Sequence, residues 1–250
     1  MTVLAAALAA FAATLIGGTF ALRFRDHLHL ILGFSAGAVA GVAFFDLLPE
    51  SIRLGMPAHA ASTIALFAAL GFFSYLVLDR LILLHAHHDD HDGEDNASTT
   101  PEANAPRLRR GAFGALTLAA HSFLDGVAIG VGFQAGAAVG IVVVAAVLTH
   151  DFSDGINTVS LVLRDGISRG RAFRWLFVDA VAPVLGAAST LLFRLSGPDT
   201  GLVLAIFAGT FTYLSASDLI PESYHRHPRV LTTVMTLLGA LVLYLVVRLV

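Results

Sequence analysis

The chain has 250 residues, of which 56% are hydrophobic and only 13% are charged, and its mean hydropathy is +0.79. Charged residues make up about a quarter of a globular chain, so this composition excludes an ordinary soluble domain and is typical of a polytopic membrane protein. The formal net charge of −3 indicates no particular partner. Because the sequence has no cysteine, disulfides, thiolate metal sites and cysteine nucleophiles are excluded, and Cu(I) binding is disfavoured.

Eight apolar stretches follow one another along the chain, each close to the roughly 20 residues that a spanning helix needs. They lie at residues 2–22, 29–49, 60–84, 111–133, 137–163, 172–194, 201–221 and 229–249. The sequence therefore predicts an all-α polytopic membrane protein in which residues 1–250 form one transmembrane domain. No separate cleavage signal follows the first stretch, which we interpret as a retained helix rather than a signal peptide.

The basic residues, all of them arginines, predict the orientation in the membrane. Twelve of the 15 lie in or beside connections from an odd-numbered to an even-numbered helix: Arg23, Arg25, Arg80, Arg107, Arg109, Arg110, Arg164, Arg169, Arg171, Arg174, Arg226 and Arg229. Only Arg53, Arg194 and Arg248 belong to the opposite side. Because connections rich in arginine stay in the cytoplasm, we expect a multi-pass protein of the cell membrane with both termini outside.

One long connection, residues 85–110, is strongly polar and reads HAHHDDHDGEDNASTTPEANAPRLRR. Its composition is typical of a disordered segment, here on the cytoplasmic side. Four histidines interleave with aspartates and are candidates for weak capture of divalent cations: His85, His87, His88 and His91. The alternative interpretation is a solvated linker whose histidines have no role.

Two nearly identical strings end the second and seventh predicted helices. FDLLPES occupies residues 45–51 and SDLIPES occupies residues 217–223, and aligning them also matches Ala36-Gly37 with Ala208-Gly209. These two helices run in opposite directions across the membrane. The sequence therefore predicts inverted repeats in a 3+2+3 arrangement, with helices 1–3 and 6–8 flanking the helix 4–5 pair.

The acids of these strings are expected to lie at opposite membrane faces. Asp46 and Glu50 would face the outside, and Asp218 and Glu222 the cytoplasm. Two acidic vestibules would raise the local concentration of cations at each mouth of a transport path. The alternative is a pair of ordinary helix ends with interfacial acids and a proline.

The strongest signal is a pair of polar motifs inside the fourth and fifth helices. HSFLDG begins at His121 and HDFSDG begins at His150, so that Asp125 and Asp154 follow the histidines by one helical turn and share their faces. An aspartate at the centre of a membrane helix costs roughly 2.5–3.5 kcal/mol on insertion scales, which two facing pairs with a divalent cation between them would offset. Imidazole with carboxylate favours Zn²⁺, Fe²⁺, Mn²⁺ or Co²⁺ over Mg²⁺ or Ca²⁺. The alternative is a proton relay or structural lock without metal.

Four further residues are secondary candidates for this site. Asn157 shares the face of His150, and Asp151 and Ser122 lie beside the two histidines. Asp179 in the sixth helix precedes Pro183 by four residues, so its backbone carbonyl loses its helical partner. Asp179 is therefore either a metal ligand or an acid beside an ordinary proline kink.

These motifs resemble those of the ZIP (Zrt/Irt-like protein) family of divalent-metal transporters, and the resemblance extends over essentially the whole chain. That family's fourth helix carries His-Asn-x-Pro-Glu-Gly, where this chain has His121 to Gly126, and its second helix ends in His-Leu-Leu-Pro-Glu, where Asp46 replaces the histidine. The motif prolines are replaced by Leu124 and Ser153, and Ala182 stands where many members have a glutamate before the helix-6 proline. The resemblance implies eight helices, outside termini and a His-rich cytoplasmic loop.

Transport of a divalent metal toward the cytoplasm by alternating access is the function that the resemblance implies. Zinc is the favoured substrate, with iron, manganese and cobalt as alternatives. The metal is then cargo rather than a cofactor, and the chain is not an enzyme. Expected partners are the metal ion and the lipid bilayer, with a homodimer left open and no nucleic acid. The competing functions are an intramembrane metal-dependent hydrolase and a non-transporting metal sensor or structural bundle.

Overall fold

Helices form all the regular structure in the part of the chain that the structure, a computed structural model, describes: residues 2–20, 28–87, 101–164, 168–224 and 230–249. Six helices are continuous, namely α1 (Thr2–Phe20), α3 (Ala61–His87), α4 (Pro101–Ala135), α5 (Ala137–Arg164), α6 (Arg169–Ser189) and α8 (Val230–Leu249). The other two consist of three consecutive stretches each: α2 (Leu28–Val42, Ala43–Leu47, Leu48–Gly55) and α7 (Gly197–Tyr213, Leu214–Leu219, Ile220–Tyr224). All eight are long and apolar enough to cross a membrane, which confirms the predicted fold class.

Several helices begin or end outside the predicted windows. Helix α3 continues to His87 and α4 already begins at Pro101, so both ends of the polar connection predicted at 85–110 are helical. Proline suits the first turn of a helix because the N–H that it lacks would have no helical partner there. Helix α7 begins four residues before its apolar window because the Ser196 side chain accepts a hydrogen bond from the backbone N–H of Asp199 and caps the helix.

The middle stretches of α2 and α7 are π-helical turns in which the backbone bond spans five residues. The N–H of Leu48 donates to the carbonyl of Ala43, and the N–H of Ile220 donates to the carbonyl of Ser215. Each π turn contains the aspartate of its repeated string and lies just before the proline. Such turns insert one extra residue into a helix and recur at functional sites.

Helices α1, α4, α5 and α6 pack closely through four glycines, and we call them the site bundle. A Cβ atom at any of these glycines would lie within 2.1 Å of a carbonyl oxygen on the neighbouring helix, so only glycine allows the approach. The contacts are Gly17 with Phe152 and Gly155 with Thr14 between α1 and α5, and Gly186 with Phe123 and Gly126 with Pro183 between α6 and α4.

Helices α2, α3, α7 and α8 pack in the same manner, and we call them the flanking bundle. Again a Cβ atom at four glycines would lie within 2.1 Å of a neighbouring carbonyl oxygen. The contacts are Gly37 with Thr236 and Gly239 with Phe34 between α2 and α8, and Gly209 with Ala68 and Gly71 with Ile206 between α7 and α3.

The glycine contacts of each bundle come in matched pairs. The residue number increases by the same amount from Gly17 to Gly186 as from Thr14 to Pro183. It likewise increases by the same amount from Gly126 to Gly155 as from Phe123 to Phe152. In the flanking bundle the same holds between α2 and α7 and between α3 and α8. These relations pair α1 with α6, α2 with α7, α3 with α8 and α4 with α5, which is the pairing that inverted repeats require. Beyond the glycines, the Ser51 and Ser223 hydroxyls donate to the carbonyls of Leu48 and Ile220, which are also paired.

Helices α2 and α7 are antiparallel. Gly201, near the start of α7, contacts the backbone of Ser51 and Gly55 at the end of α2, whereas Ser215 donates to the carbonyl of Ala36 near the middle. Asp46 and Asp218 therefore lie toward opposite ends of the helical assembly, which we call the Asp46 side and the Asp218 side.

A continuous apolar core runs through both halves of the assembly, from Leu47 beside Asp46 to Leu219 beside Asp218. Its fully buried members come from both bundles: Val39, Val42 and Leu47 from α2, Ile129 from α4, Val143 and Val147 from α5, and Leu204 and Phe211 from α7. On the Asp218 side, polar groups adjoin this core: Asp218, and Asp79, whose carboxylate accepts a hydrogen bond from the Tyr213 hydroxyl. The polar motifs of α4 and α5 lie between the Asp46 side and the Asp218 side.

Candidate metal site

Four side chains of α4 and α5 converge on one point between the helices. His121, Asp125, His150 and Asp154 each offer one ligand atom, and these four atoms lie within 4.8 Å of one another. His121 Nε2 lies 3.1 Å from Asp125 Oδ2 on its own helix and 3.6 Å from Asp154 Oδ2 on the other. His150 Nε2 lies 3.4 Å from the same Asp125 oxygen. The two one-turn spacings thus bring together the four residues that the sequence singled out.

All four side chains are removed from solvent. The exposed fractions are 4% for His121, 1% for Asp125, 0% for His150 and 6% for Asp154. Their converging atoms, two Nε2 and two Oδ2, are buried and have no geometrically acceptable hydrogen-bond partner. Since buried polar atoms are nearly always satisfied, four orphaned atoms around one point are the arrangement that a bound cation would complete.

The outer nitrogens of the two imidazoles fix the direction of the rings. His150 Nδ1 lies 2.9 Å from the carbonyl oxygen of Ala146, which can only accept, so this nitrogen carries the proton and donates. In the neutral ring, Nε2 then has its lone pair free for a metal. His121 Nδ1 lies 3.0 Å from the hydroxyl of Tyr75 in α3, a group that can donate or accept.

Aromatic side chains of the flanking bundle cover both imidazoles. The Tyr75 ring packs edge-on against His121 at 5.4 Å between centroids, and the Phe211 ring packs against His150 at 6.1 Å. Tyr75 also contacts Tyr213, whose hydroxyl donates to Asp79 Oδ2 over 2.9 Å. The sequence analysis missed Tyr75, because a single tyrosine in an apolar helix has no spacing that links it to a histidine on another helix.

Asp179 lies next to the four-residue cluster but has other partners. Its Oδ1 accepts from the Ser122 hydroxyl and its Oδ2 accepts from the Thr158 hydroxyl, both over 2.7 Å. One carboxylate thereby joins α4, α5 and α6. Ser122 and Asp179, both predicted as secondary metal ligands, are thus bonded to each other, and Thr158 was not predicted.

The remaining secondary candidates differ in their surroundings. Asp151 is fully buried, neither of its carboxylate oxygens has a hydrogen-bond partner, and Oδ1 lies 3.8 Å from His150 Nε2. Asn157 is partly buried, and its part in the site stays a prediction. Asp151 lies beside the cluster, because its Oδ1 approaches a ligand nitrogen.

The two predicted vestibules differ strongly. On the Asp46 side, Asp46 is 9% exposed and its buried Oδ2 lacks a partner, while Glu50 receives two hydrogen bonds from Arg53, of 2.6 and 2.5 Å. On the other side, Asp218 is half-buried and Glu222 is exposed. Asp218 interacts electrostatically with Asp79, His121 and Asp154, which connects it to the cluster.

The predicted histidines of the polar connection fall outside this description. His88 and His91 lie outside the described residues, and only the helical backbone is described at His85 and His87. Their proposed capture of cations stays a prediction.

The fold and the cluster define a multi-pass membrane protein with a buried intramembrane site of two imidazoles and two carboxylates. The profile of the family described as ZIP Zinc transporter matches residues 85–247. The chain belongs to the ZIP family, which confirms the resemblance seen in its motifs. Since this is a family of transporters, the prediction that the chain is not an enzyme is also confirmed.

Individual relatives agree with this assignment. The chain is 32% identical over 226 residues to the zinc transporter ZupT of Corynebacterium aurimucosum, covering 84% of this chain and 82% of the relative. It is 30% identical over 213 residues to ZupT of Chlorobium phaeovibrioides, covering 80% and 79%. The zinc transporter SLC39A7 of Rattus norvegicus is 24% identical over 299 residues, covering 88% of this chain but only 64% of the relative's length.

Proposed function

We propose that this chain carries a divalent transition metal, with zinc favoured, across the membrane through the site formed by His121, Asp125, His150 and Asp154. The observation that carries the proposal is the set of four buried, unpartnered ligand atoms on two adjacent helices of a ZIP family member. Two nitrogens and two oxygens suit the tetrahedral preference of Zn²⁺, and the ZupT relatives are named as zinc transporters. Fe²⁺, Mn²⁺ and Co²⁺ accept the same ligands and are the alternatives.

The orientation of the chain in the membrane follows from the arginine distribution. Connections rich in arginine lie at the Asp218 side, which we therefore assign to the cytoplasm, with both termini outside and the cell membrane as the location. The metal would enter past Asp46 and Glu50 and leave past Asp218 and Glu222. We propose movement toward the cytoplasm, as for the family that the motifs resemble.

The surroundings of the site support a state closed toward the outside. Two layers can be distinguished, with Asp125 and His150 toward the Asp46 side and His121 and Asp154 toward the Asp218 side. The first layer is 1% and 0% exposed, whereas the second is 4% and 6% exposed and interacts with Asp218. A metal would therefore leave this state toward Asp218.

Alternating access is supported by the matched glycine contacts. They relate the two halves as inverted repeats, and such repeats can exchange conformations to open the opposite side. They also favour a particular division of the moving parts, because the tight contacts lie within each bundle. We propose that the site bundle moves as a unit against the flanking bundle, so that α1 and α6 accompany the α4–α5 pair.

Uptake of zinc into proteoliposomes tests the proposal. Removing a ligand in His150→Ala should lower uptake by more than about 100-fold, since even an outer-shell partner of a metal ligand is worth 10–100-fold. His59→Ala is the matched control, because His59 lies in the connection between α2 and α3, away from the cluster, and should leave uptake unchanged. Uptake by His150→Ala at the wild-type rate would refute the assignment.

A further inference from the structure

Within the part of the chain that the structure describes, two side chains of the flanking bundle form hydrogen bonds to the site bundle. One joins the Tyr75 hydroxyl to His121 Nδ1 over 3.0 Å, and the other runs from the Ser35 hydroxyl to the carbonyl oxygen of Thr149 over 2.6 Å. Tyr75 and Ser35 belong to α3 and α2, and their partners belong to α4 and α5. Thr149 directly precedes the ligand His150, so both bonds end at or beside a metal-ligating histidine.

Neither donor has an equivalent in the other repeat. Counted from the matched glycine contacts, Leu243 in α8 is the equivalent of Tyr75 in α3, just as Gly239 is the equivalent of Gly71. In the same way, Phe207 in α7 is the equivalent of Ser35 in α2, just as Ile206 is the equivalent of Phe34. The neighbours of Tyr75 and Leu243 are paired as well. Tyr75 packs beside Tyr213, and Leu243 packs beside Gly41, which occupies the position equivalent to Tyr213 in the other repeat. Leucine and phenylalanine side chains have no hydrogen-bonding group.

Inverted repeats generate the opposite conformation by exchanging the roles of paired residues. In that conformation His150 would face Leu243 and the backbone beside His121 would face Phe207. Both crossing hydrogen bonds are then lost without replacement.

We propose that Tyr75 and Ser35 hold the two bundles together only in the present state, which is closed toward the Asp46 side, and thereby keep the opposite state sparsely populated. Tyr75 is in addition a positioning residue, since its hydroxyl directs the His121 ring toward the site. This inference rests on the proposed transport function. It makes the rest state of the transporter a consequence of two residues that break the symmetry of its repeats.

The size of the effect follows from the worth of one neutral buried hydrogen bond, which corresponds to about a 2- to 10-fold change in an equilibrium constant. If the state that accepts external metal is a minor one, the apparent KM varies inversely with its population. Weakening the tie should therefore lower the KM for external zinc rather than raise it. A residue needed only to shape the site would change the KM in the other direction.

The test compares zinc uptake by three single variants and one double variant in proteoliposomes. Tyr75→Phe keeps the ring and removes the hydroxyl, and Ser35→Ala removes the second donor, whose acceptor is a backbone carbonyl rather than a ligand side chain. Each should lower the KM by about 2- to 10-fold, and the double variant by about the product of the two. Tyr213→Phe is the matched control: it removes a tyrosine hydroxyl bonded to Asp79 within the flanking bundle and should leave the KM unchanged.

A second measurement does not depend on transport. Ala43, near Asp46, is 1% exposed, and the chain has no native cysteine. With Ala43→Cys as the reporter, Tyr75→Phe and Ser35→Ala should each speed modification by a membrane-impermeant thiol reagent from the Asp46 side by about 2- to 10-fold, and Tyr213→Phe should not. An unchanged or raised KM together with unchanged labelling in both variants would overturn the inference. Failure of the wild-type protein to take up zinc would instead overturn the proposed function.

Discussion

The segments around Asp46 and Asp218 have almost the same sequence but different surroundings. Both contain a π-helical turn, an aspartate and a proline–glutamate–serine string. In both, the serine hydroxyl donates a hydrogen bond to the backbone carbonyl three residues earlier. Asp46 is 9% exposed and its neighbour Glu50 is bound by Arg53, whereas Asp218 is half-buried and has Asp79 nearby. The repeated string therefore determines local backbone structure, while residues outside the string determine whether its acids are accessible.

The largest expected effect is a loss of stability when close packing is disrupted in α2 and α7, the two helices that carry these segments. In Gly37→Val and Gly209→Val the new side chain would collide with the carbonyl oxygen of Thr236 or Ala68, and neither backbone can give way. Each variant should lose about 3 kcal/mol or more of stability. Thermal unfolding in detergent should show a similar fall in Tm for both.

Gly136→Val is the control for this pair, because nothing lies within 4 Å of a Cβ atom added there. A large fall in Tm for only one member of the mirrored pair would show that the repeats are not equivalent in packing.

The next effect concerns what the two segments do not share. Asp46→Asn removes the acid on the entry side and should raise the KM for external zinc by about tenfold, because an acidic group at the mouth of the path raises the local concentration of cations. Asp218→Asn removes the acid nearest to the site on the exit side and should instead lower Vmax about tenfold. Initial uptake rates over a range of zinc concentrations separate the two parameters. The same parameter changing in both variants would contradict the division into entry and exit acids.

A smaller effect is expected from Arg53, whose guanidinium binds the Glu50 carboxylate on the Asp46 side. Arg53→Gln should free the carboxylate and lower the KM for external zinc about twofold, in keeping with the modest strength of an exposed ion pair. The gain should vanish at high salt, where exposed charges are screened. Arg194→Gln, another arginine of the same side, should have no such salt-dependent effect. A salt-independent change for Arg53→Gln would point to packing rather than charge.

The smallest effect is expected from the histidines of the polar connection, which joins α3 to α4 at the Asp218 side. Changing His85, His87, His88 and His91 together to glutamine should leave the KM for external zinc unchanged and the uptake rate within about threefold, because weak capture in a solvated segment does not contribute to the entry path. The number of zinc ions bound by the purified protein should fall. Abolished uptake would show that these residues are part of the path itself.

Much of the fold was predictable because the bilayer imposes one requirement, an apolar stretch of about 20 residues, that can be read directly from sequence. The four cluster residues were predictable for a related reason, since one helical turn separates each histidine from its aspartate and apolar surroundings make both conspicuous. The Glu50–Arg53 pair also follows a helical spacing and could have been found in the same way.

The contacts between helices were not predictable from one sequence. Tyr75 and Thr158 bond to partners far away in the chain, and no periodicity links them. The predicted arrangement of helices 1–3 and 6–8 around the helix 4–5 pair rested on the repeated strings that end the second and seventh helices. The glycine contacts that associate α1 with α5 depend on which faces meet, and an isolated Gly17 in an apolar helix does not reveal its neighbour.

The π turns of α2 and α7 have a consequence for the angular phase of these helices. One inserted residue rotates everything that follows by about 100° around the helix axis. The aspartates therefore lie at the point where the helix changes its angular phase. Residues that a regular helical pattern would place on one face lie on different faces before and after the π turn. Removing the exposed Ala216 would restore a single phase in α7 and turn Glu222 and Ser223 by about 100° relative to the helix before them, without changing any residue's chemistry.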